Sequence, residues 1–173
     1  MTTVPQLFTE RLLLRGFRPD DFPPLSQFWG DPETARFVGG ACNDEDSWRR
    51  LAAMVGHWSL RGYGMWALED RNSGAFLGYC GLWNPHGWPE QEVGWGLLKA
   101  HQGKGFVTEA ALRARDYAYQ ELGWTTLISC IALDNGPSIR VAKRMGASFE
   151  RETVNRGWTV GIFRHPGPMD KRP

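Results

Sequence analysis

Cysteine is scarce in this chain, and its number is odd: Cys42, Cys80 and Cys130 are the only three in 173 residues. Their scattered spacing forms neither a disulfide framework nor a zinc signature. It predicts reduced thiols in a cytoplasmic protein, with Cys80 and Cys130 on buried strands. Excess charge is lacking too. A formal net charge of +1 gives no electrostatic reason to expect nucleic acid or an anionic membrane as a main partner. No apolar run approaches the roughly eighteen residues that span a bilayer, and residues 1–6 carry neither the charged nor the apolar region of a secretion signal. Repeats, low-complexity tracts and long linkers are missing as well, and no metal-ligand set is apparent. What is present is an ordinary globular balance, 42% hydrophobic and 23% charged, at a length that suits one domain over 1–173 with a loose tail at 166–173. Tryptophan alone is unusual, at nine residues, which either pack core and rim or line a substrate site.

Periodicity and turn residues predict alternating strands and helices. A first strand is read at 12–17 and a helix at 19–29, entered by Pro19 and closed by Gly30-Asp31-Pro32. Asn43 and Asp44 offer an N-cap for a second helix with Trp48, Leu51, Ala52, Val55 and Trp58 on one face. Strands 64–69 and 75–83 form a hairpin across 70–74, followed by a turn-rich loop at 84–89. A strand at 91–98 leads through a glycine turn into a helix at 104–122. Its apolar or small residues, Phe106, Val107, Ala110, Ala111, Ala114, Tyr117, Ala118 and Leu122, recur at three and four. An apolar run at 125–133 is a buried strand, a helix begins at Pro137 and ends at Gly146, and strands 148–154 and 158–163 close an α/β domain with a mixed central sheet.

The glycine turn, Gln102-Gly103-Lys104-Gly105-Phe106-Val107, carries the most information. It exposes backbone N–H groups beside the positive end of a helix dipole, which makes a phosphate cradle. A Walker loop needs Lys-Ser/Thr after its last glycine, and here Phe106-Val107 follows Gly105. A dinucleotide fingerprint needs a third glycine where Thr108 stands, and its acidic residue about twenty residues on, whereas Asp134 lies about thirty away. What remains fits Gln-x-x-Gly-x-(Gly/Ala), with Val107 at the last position.

In these residues the chain resembles the GNAT acetyltransferases, especially the RimJ/RimL-like branch that acetylates protein N-termini and small amines. Thr9-Glu10-Arg11-Leu12-Leu13-Leu14-Arg15 is similar to that branch's opening strand and Arg18-Pro19-Asp20-Asp21-Phe22 to the start of its first helix. Glu92-Val93-Gly94-Trp95 and Gly103 to Ala110 are similar to its acetyl-CoA strand and loop, and Asn135 to Ala147 to its Asn-x-x-Ser helix. The resemblance covers nearly the whole chain. It implies a central, mostly antiparallel mixed sheet of about seven strands flanked by about four helices. It also implies an N-acetyltransferase using acetyl-CoA and a primary amine, as a monomer or homodimer. A non-catalytic acyl-CoA-binding sensor, or an enzyme using another acyl-CoA such as succinyl-CoA, are the alternatives.

Attack of an amine on a thioester needs a bound carrier, a deprotonated amine, a polarised carbonyl and a proton for the departing thiolate. Backbone N–H groups of Gln102, Gly103, Lys104, Gly105, Phe106, Val107 and Thr108 are expected to hold the pyrophosphate, with Lys104 adding charge. Gly94 and Gly96 mark a bulge or a close backbone approach. The resemblance implies a splayed sheet here, with an N–H near Leu97 facing the thioester carbonyl. Glu92 is the candidate general base, acting through a water, or else a structural, salt-bridged or solvated carboxylate. Strand alternation sets Glu92, Gly94 and Gly96 on one face. Glu90, His86 and His101 are lesser candidates. The resemblance assigns Asn135 to the pantetheine arm and Ser138 to the neighbourhood of the sulfur, while local helix capping would explain both residues equally. The tyrosine acid of many members is replaced by Ala142, leaving Ser138 as the hydroxyl on this helix. A thiol pKa near 8.5 leaves room for no dedicated acid at all. Arg140, Lys143 and Arg144 are candidates for the adenosine phosphates, or a solvated basic face. The acceptor is expected among Trp29, Phe37, Trp83, Trp88 and Trp158, with Asp and Glu at the mouth attracting a cationic amine.

Overall fold

Short polar turns join the first two strands and the third and fourth, while a helical excursion over 16–64 connects the two pairs. The first half of the chain thus lies down as neighbouring antiparallel strands. In the computed structural model, which describes residues 3–168, eight strands make one sheet. Their order is β1 (Leu7–Phe8), β2 (Leu12–Arg15), β3 (Met65–Asp70), β4 (Phe76–Trp83), β5 (Glu92–Leu97), β6 (Ile128–Ile131), β8 (Trp158–Arg164), β7 (Ser148–Asn155). Every neighbouring pair is antiparallel except β5 and β6, which run parallel. The β3–β4 turn closes because Asp70 Oδ1 accepts from the N–H groups of Asn72 and Ser73, both at 2.9 Å, and Gly74 takes φ +72°.

Five helices accompany the sheet: α1 (Phe22–Gly30), α2 (Pro32–Ala35), α3 (Asp44–Arg61), α4 (Phe106–Gln120) and α5 (Gly136–Arg144). The stripe predicted for α4 is the one it buries, with Phe106, Ala110, Ala111, Ala114 and Ala118 packed against Leu77, Cys80, Leu82, Val93 and Leu97. Alanine along this stripe lets the helix axis approach the sheet closely. The opposite face carries α1 and α3, where Leu25, Phe28, Trp29 and Leu51 meet Met65 and Tyr79.

Several expectations are corrected. The strand Leu7–Phe8 and the helix Pro32–Ala35 were not foreseen, so the sheet has eight strands and the helices number five. The helix read at 19–29 is a 3-10 turn, Pro19–Asp21, followed by α1, because Pro23 and Pro24 occupy the first positions of a new helix. In α3 the buried stripe is Ser47, Leu51 and Trp58, while Trp48 and Val55 are 55% and 49% exposed and Ala52 is also exposed. Trp48 finds its partner on α1 instead, edge-on to Phe22 at 5.1 Å. The apolar run at 125–133 yields only four strand residues, and Leu133 is exposed. Its strand is cut short where the sheet opens beside it. In the tail, Pro166 is held by the Tyr119 hydroxyl, which donates to its carbonyl at 2.8 Å; residues 169–173 lie outside the described residues. No helix among the described residues is long and apolar enough to cross a membrane.

Candidate active site

The site forms where the only parallel pairing stops. β5 and β6 share a single register pair, Glu92↔Ile128, and a bond from Ile128 N–H to Gln91 O at 3.0 Å. A regular parallel ladder would next join Cys130 N–H to Val93 O. Neither group makes that bond. Cys130 N–H donates to Glu92 Oε1 at 3.0 Å, and Val93 O accepts from the Ser129 hydroxyl at 2.7 Å. Two side chains therefore replace one rung, and beyond them the strands diverge. Leu98 N–H bonds Leu77 O, so alternation turns the backbone groups of Val93, Trp95 and Leu97 away from β4 and toward the gap. Of the bulge or close backbone approach expected at Gly94 and Gly96, the bulge is absent, since the β4–β5 register is unbroken from Gly78↔Leu97 to Trp83↔Glu92. The irregularity lies in β4, where the register with β3 shifts and Gly78 takes φ +141°. Gly96 does mark a close approach: a Cβ there would meet the Tyr79 ring at 2.5–2.7 Å.

Glu92 sits at this fork, 7% exposed. Its other oxygen accepts from the Trp88 indole N–H at 2.5 Å. Burial pushes the carboxyl up to about 7, against the pull of the Cys130 and Trp88 donors, which favour the ionised form. The carboxylate thus changes charge near neutrality. Cys130, expected on a buried strand, is only partly covered, because the gap opens beside it. Behind β6, Ser129 also contacts His165 Nε2 at 3.0 Å, and burial followed by the Arg115 charge holds that imidazole down at about 3.

A cavity of about 470 Å³ opens over Glu92. Trp29, Phe37, Trp83, Trp88 and Trp158 line it as the sequence suggested, joined by Tyr79, which the sequence reading missed. Asn135 and Ser138 reach the same cavity from α5. Asn135 Oδ1 caps its own helix, accepting from Ser138 N–H at 3.2 Å, so the capping role is present. The Ser138 hydroxyl accepts from the Trp95 indole N–H at 3.2 Å across the gap, leaving its own proton to give. The acidic mouth expected from the sequence is corrected. Among the described residues Glu92 is the cavity's single carboxylate, and the other charged lining residues are Arg50 and Arg156.

The glycine turn has the geometry of a cradle. Gly103 and Gly105 take φ +77° and +80°, and Gly105 is the N-cap of α4 with no side chain bonding the first turn. The first N–H groups of a helix have no partner within it. Gln102 turns back, its amide donating to Leu97 O at 3.0 Å. Lys104 donates to Ala100 O at 3.1 Å. An open groove of about 640 Å³ beside the turn brings Gly103, Gly105 and Thr108 together with Arg144; Arg140 and Lys143 are exposed elsewhere on α5. Arg11, unread in the sequence, braces the turn from β2's approach. It donates to Lys104 O at 2.9 Å, lies 4.6 Å over the Phe106 ring and pairs with Glu109 at 2.7 Å. The lesser candidates are placed otherwise: Glu90 pairs with Arg164 and Arg151, and His86 is exposed. Among the described residues no group of three or more His, Cys, Asp or Glu is placed to hold a metal ion.

A family model described as an acetyltransferase (GNAT) domain matches residues 11–148. YkkB of Bacillus subtilis, an uncharacterised protein, is 30% identical over 175 residues, covering 94% of this chain and 95% of its own. An uncharacterised N-acetyltransferase of Bacillus licheniformis is 29% identical over 157 residues, covering 88% and 86%. A solved acetyltransferase from Agrobacterium tumefaciens shares the architecture with a TM-score of 0.87 at 30% identity, over 94% of this chain and 95% of that one. RimL, a ribosomal alpha-N-protein acetyltransferase in complex with coenzyme A, shares the fold with a TM-score of 0.74 at 16% identity, over 91% and 95%.

Proposed function

The chain belongs to the GNAT acetyltransferase family, and on that premise we propose that it transfers an acetyl group from acetyl-CoA to a primary amine by direct attack in a ternary complex. The observation that carries this reading is the Glu92 carboxyl, buried at the fork of the sheet, open to the cavity and poised at about 7. A base with that affinity exchanges protons readily at neutral pH.

The residues fit the carrier. N–H groups of the turn from Gln102 to Thr108, with Arg144 across the groove, suit a pyrophosphate. The gap between β5 and β6 suits an extended arm that pairs with the groups β5 turns toward it, and Leu97 N–H is aimed where a carbonyl oxygen gaining charge would need a donor. Acetyl-CoA supplies the activated acyl carbon. In the transfer a C–N bond forms and the C–S bond breaks. The amine's proton passes through a water to Glu92, and the thiolate takes one from solvent, either directly or through the Ser138 hydroxyl, which receives a proton from water as it gives its own. No covalent acyl-enzyme is needed, since Cys80 is fully buried and burial raises the Cys130 thiol far above neutrality. We place the protein in the cytoplasm, where its three free cysteines stay reduced.

The test is release of free thiol from acetyl-CoA by the purified protein across amino acids, N-terminal peptides, polyamines and aminoglycosides. Release with one class of amine is the expected result. Thermal stabilisation by acetyl-CoA without thiol release from any amine favours an acyl-CoA sensor, and the absence of both stabilisation and thiol release refutes the proposal.

A further inference from the structure

The charge around the acceptor end of the cavity is the reverse of what a polycationic amine requires. Among the described residues Glu92 is the one carboxylate on the lining, and burial keeps a large share of it protonated near neutrality. Two guanidinium groups face the same space. Arg156 stands at the exposed β7–β8 turn, at the rim. Arg50 reaches in from α3 and is partly buried. Its terminal nitrogens donate to Val38 O at 3.4 Å and Gly39 O at 3.1 Å, and no carboxylate pairs with it among the described residues. Two carbonyls orient the fork and leave most of its five donors unused. The Tyr79 phenol deeper in the cavity feels that positive charge.

Arg11, Arg15 and Arg164 are answered by carboxylates: Glu109, Asp21 with Glu69, and Glu90 with Glu150. Arg50 is held by carbonyls alone, as Arg71 and Arg115 are, and of these three it is the one on the cavity wall. An oriented, unanswered guanidinium on a cavity wall is a seat for an anion, and its planar fork matches a carboxylate. Much of the remaining lining is aromatic or thioether: Trp29, Trp83, Trp88, Trp158, Met54 and Met65. Such walls take a flat or apolar body. The cavity also reaches Asn135 and Ser138, so its 470 Å³ has to hold the acyl end together with the acceptor. The space left is that of a small molecule.

Resting on the acetyltransferase reading of this site, we infer that the acceptor is a small amine bearing a carboxylate and an aromatic or thioether body, an amino acid in chemical class, with Arg50 holding the carboxylate and the amine directed to Glu92. Polyamines and aminoglycosides bring positive charge to a wall that already carries two arginines, and are poor acceptors.

Matched sets test this with the full-length protein: tryptophan, tryptophanamide and tryptamine, the same trio for phenylalanine and methionine, a tryptophan-led peptide, and spermidine. Thiol release should give the free amino acid a kcat/KM about ten- to a hundredfold above its amide and its decarboxylated amine, the usual reach of a charge-assisted pair. Arg50→Met should bring that ratio close to one, and Arg50→Lys should restore part of it. Equal or better turnover of the decarboxylated amine, the peptide or spermidine overturns the inference, as does a ratio that survives Arg50→Met. Calorimetry with N-acetyltryptophan and N-acetyltryptamine, in the presence of CoA, decides the matter without turnover. Preference for the carboxylate in wild type and its loss in Arg50→Met uphold the acceptor class even if no thiol is released, in which case the catalytic reading alone has failed. Equal binding of the two overturns the acceptor class while leaving acetyl transfer standing.

Discussion

Glu92 does not act alone, since each of its oxygens is held by a different N–H donor. As a base it must be ionised, so kcat/KM should fall with one-proton dependence as the pH drops below about 7. Glu92→Gln should remove this limb and lower kcat by about a hundred- to ten-thousandfold. Trp88→Phe keeps the ring's bulk and removes a donor that favours the charged form, so the same limb should move to higher pH. A pH profile of thiol release for the three proteins checks both. Of this site, Glu92 and the glycine turn could be read from the sequence because each carries a local pattern. Trp88 could be read as a lining aromatic but not as a partner of Glu92, and Ser129 and Arg50 could not be read at all, since the partners stand 4, 36 and 11–12 residues away through bonds that no spacing announces.

At the scale of elements, β5 and β6 are joined by one ladder pair and two side-chain bonds. Ser129 is 1% exposed, so Ser129→Ala would leave Val93 O buried without its donor. A loss of about 1–3 kcal/mol is expected, measurable by urea unfolding, together with a weakened response to acetyl-CoA because the gap loses its set width. The helix α4 was legible because one stripe faces one sheet, and period alone decides which residues are buried. α3 was not. It packs mainly on α1 and on the β3 edge, and its apolar residues lie on two stripes, so period left the choice to tertiary contacts. The truncation of β6 was hidden for a similar reason: the run at 125–133 is apolar or β-branched apart from Ser129, and only the fork beside it decides how much of it pairs.

For the molecule as a whole, buried titratable groups set how the fold answers pH. His165 is held at about 3, far below the ordinary histidine value, and burial lowers His57 as well, its Nδ1 fixed on Tyr63 O and its Nε2 accepting from Asn84 N–H. The unfolded chain binds these protons first, so the stability they secure is complete above about 6.5 and is lost as pH falls through the window down to about 3. Glu92 has the opposite sign. Its folded value is raised, so its contribution is present at low pH and is lost as pH rises from the ordinary carboxyl value through about 7. The two effects oppose each other in weak acid, and below about 4.5 the histidines act without Glu92. His165→Gln should therefore lose stability more gently than wild type between about pH 4.5 and 3, by up to about 1.4 kcal/mol per pH unit. Urea midpoints of both proteins across that range test it. The mixed α/β sheet was legible from the chain; this balance was not, since it depends on how deeply His57, Glu92 and His165 are covered.

The rung that side chains replaced leaves a backbone proton hanging on an ionisable acceptor. The Cys130 amide is thereby a reporter built into the main chain, reading the charge of a carboxyl that has no isotope-visible proton of its own in this bond. Its nitrogen-15 resonance should titrate with a midpoint near 7, while the amide of Ile128, two residues earlier and bonded to the peptide carbonyl of Gln91, stays still. Placing tryptophan in the cavity should move that midpoint, and the displacement would give the acceptor's effect on the base without a single turnover.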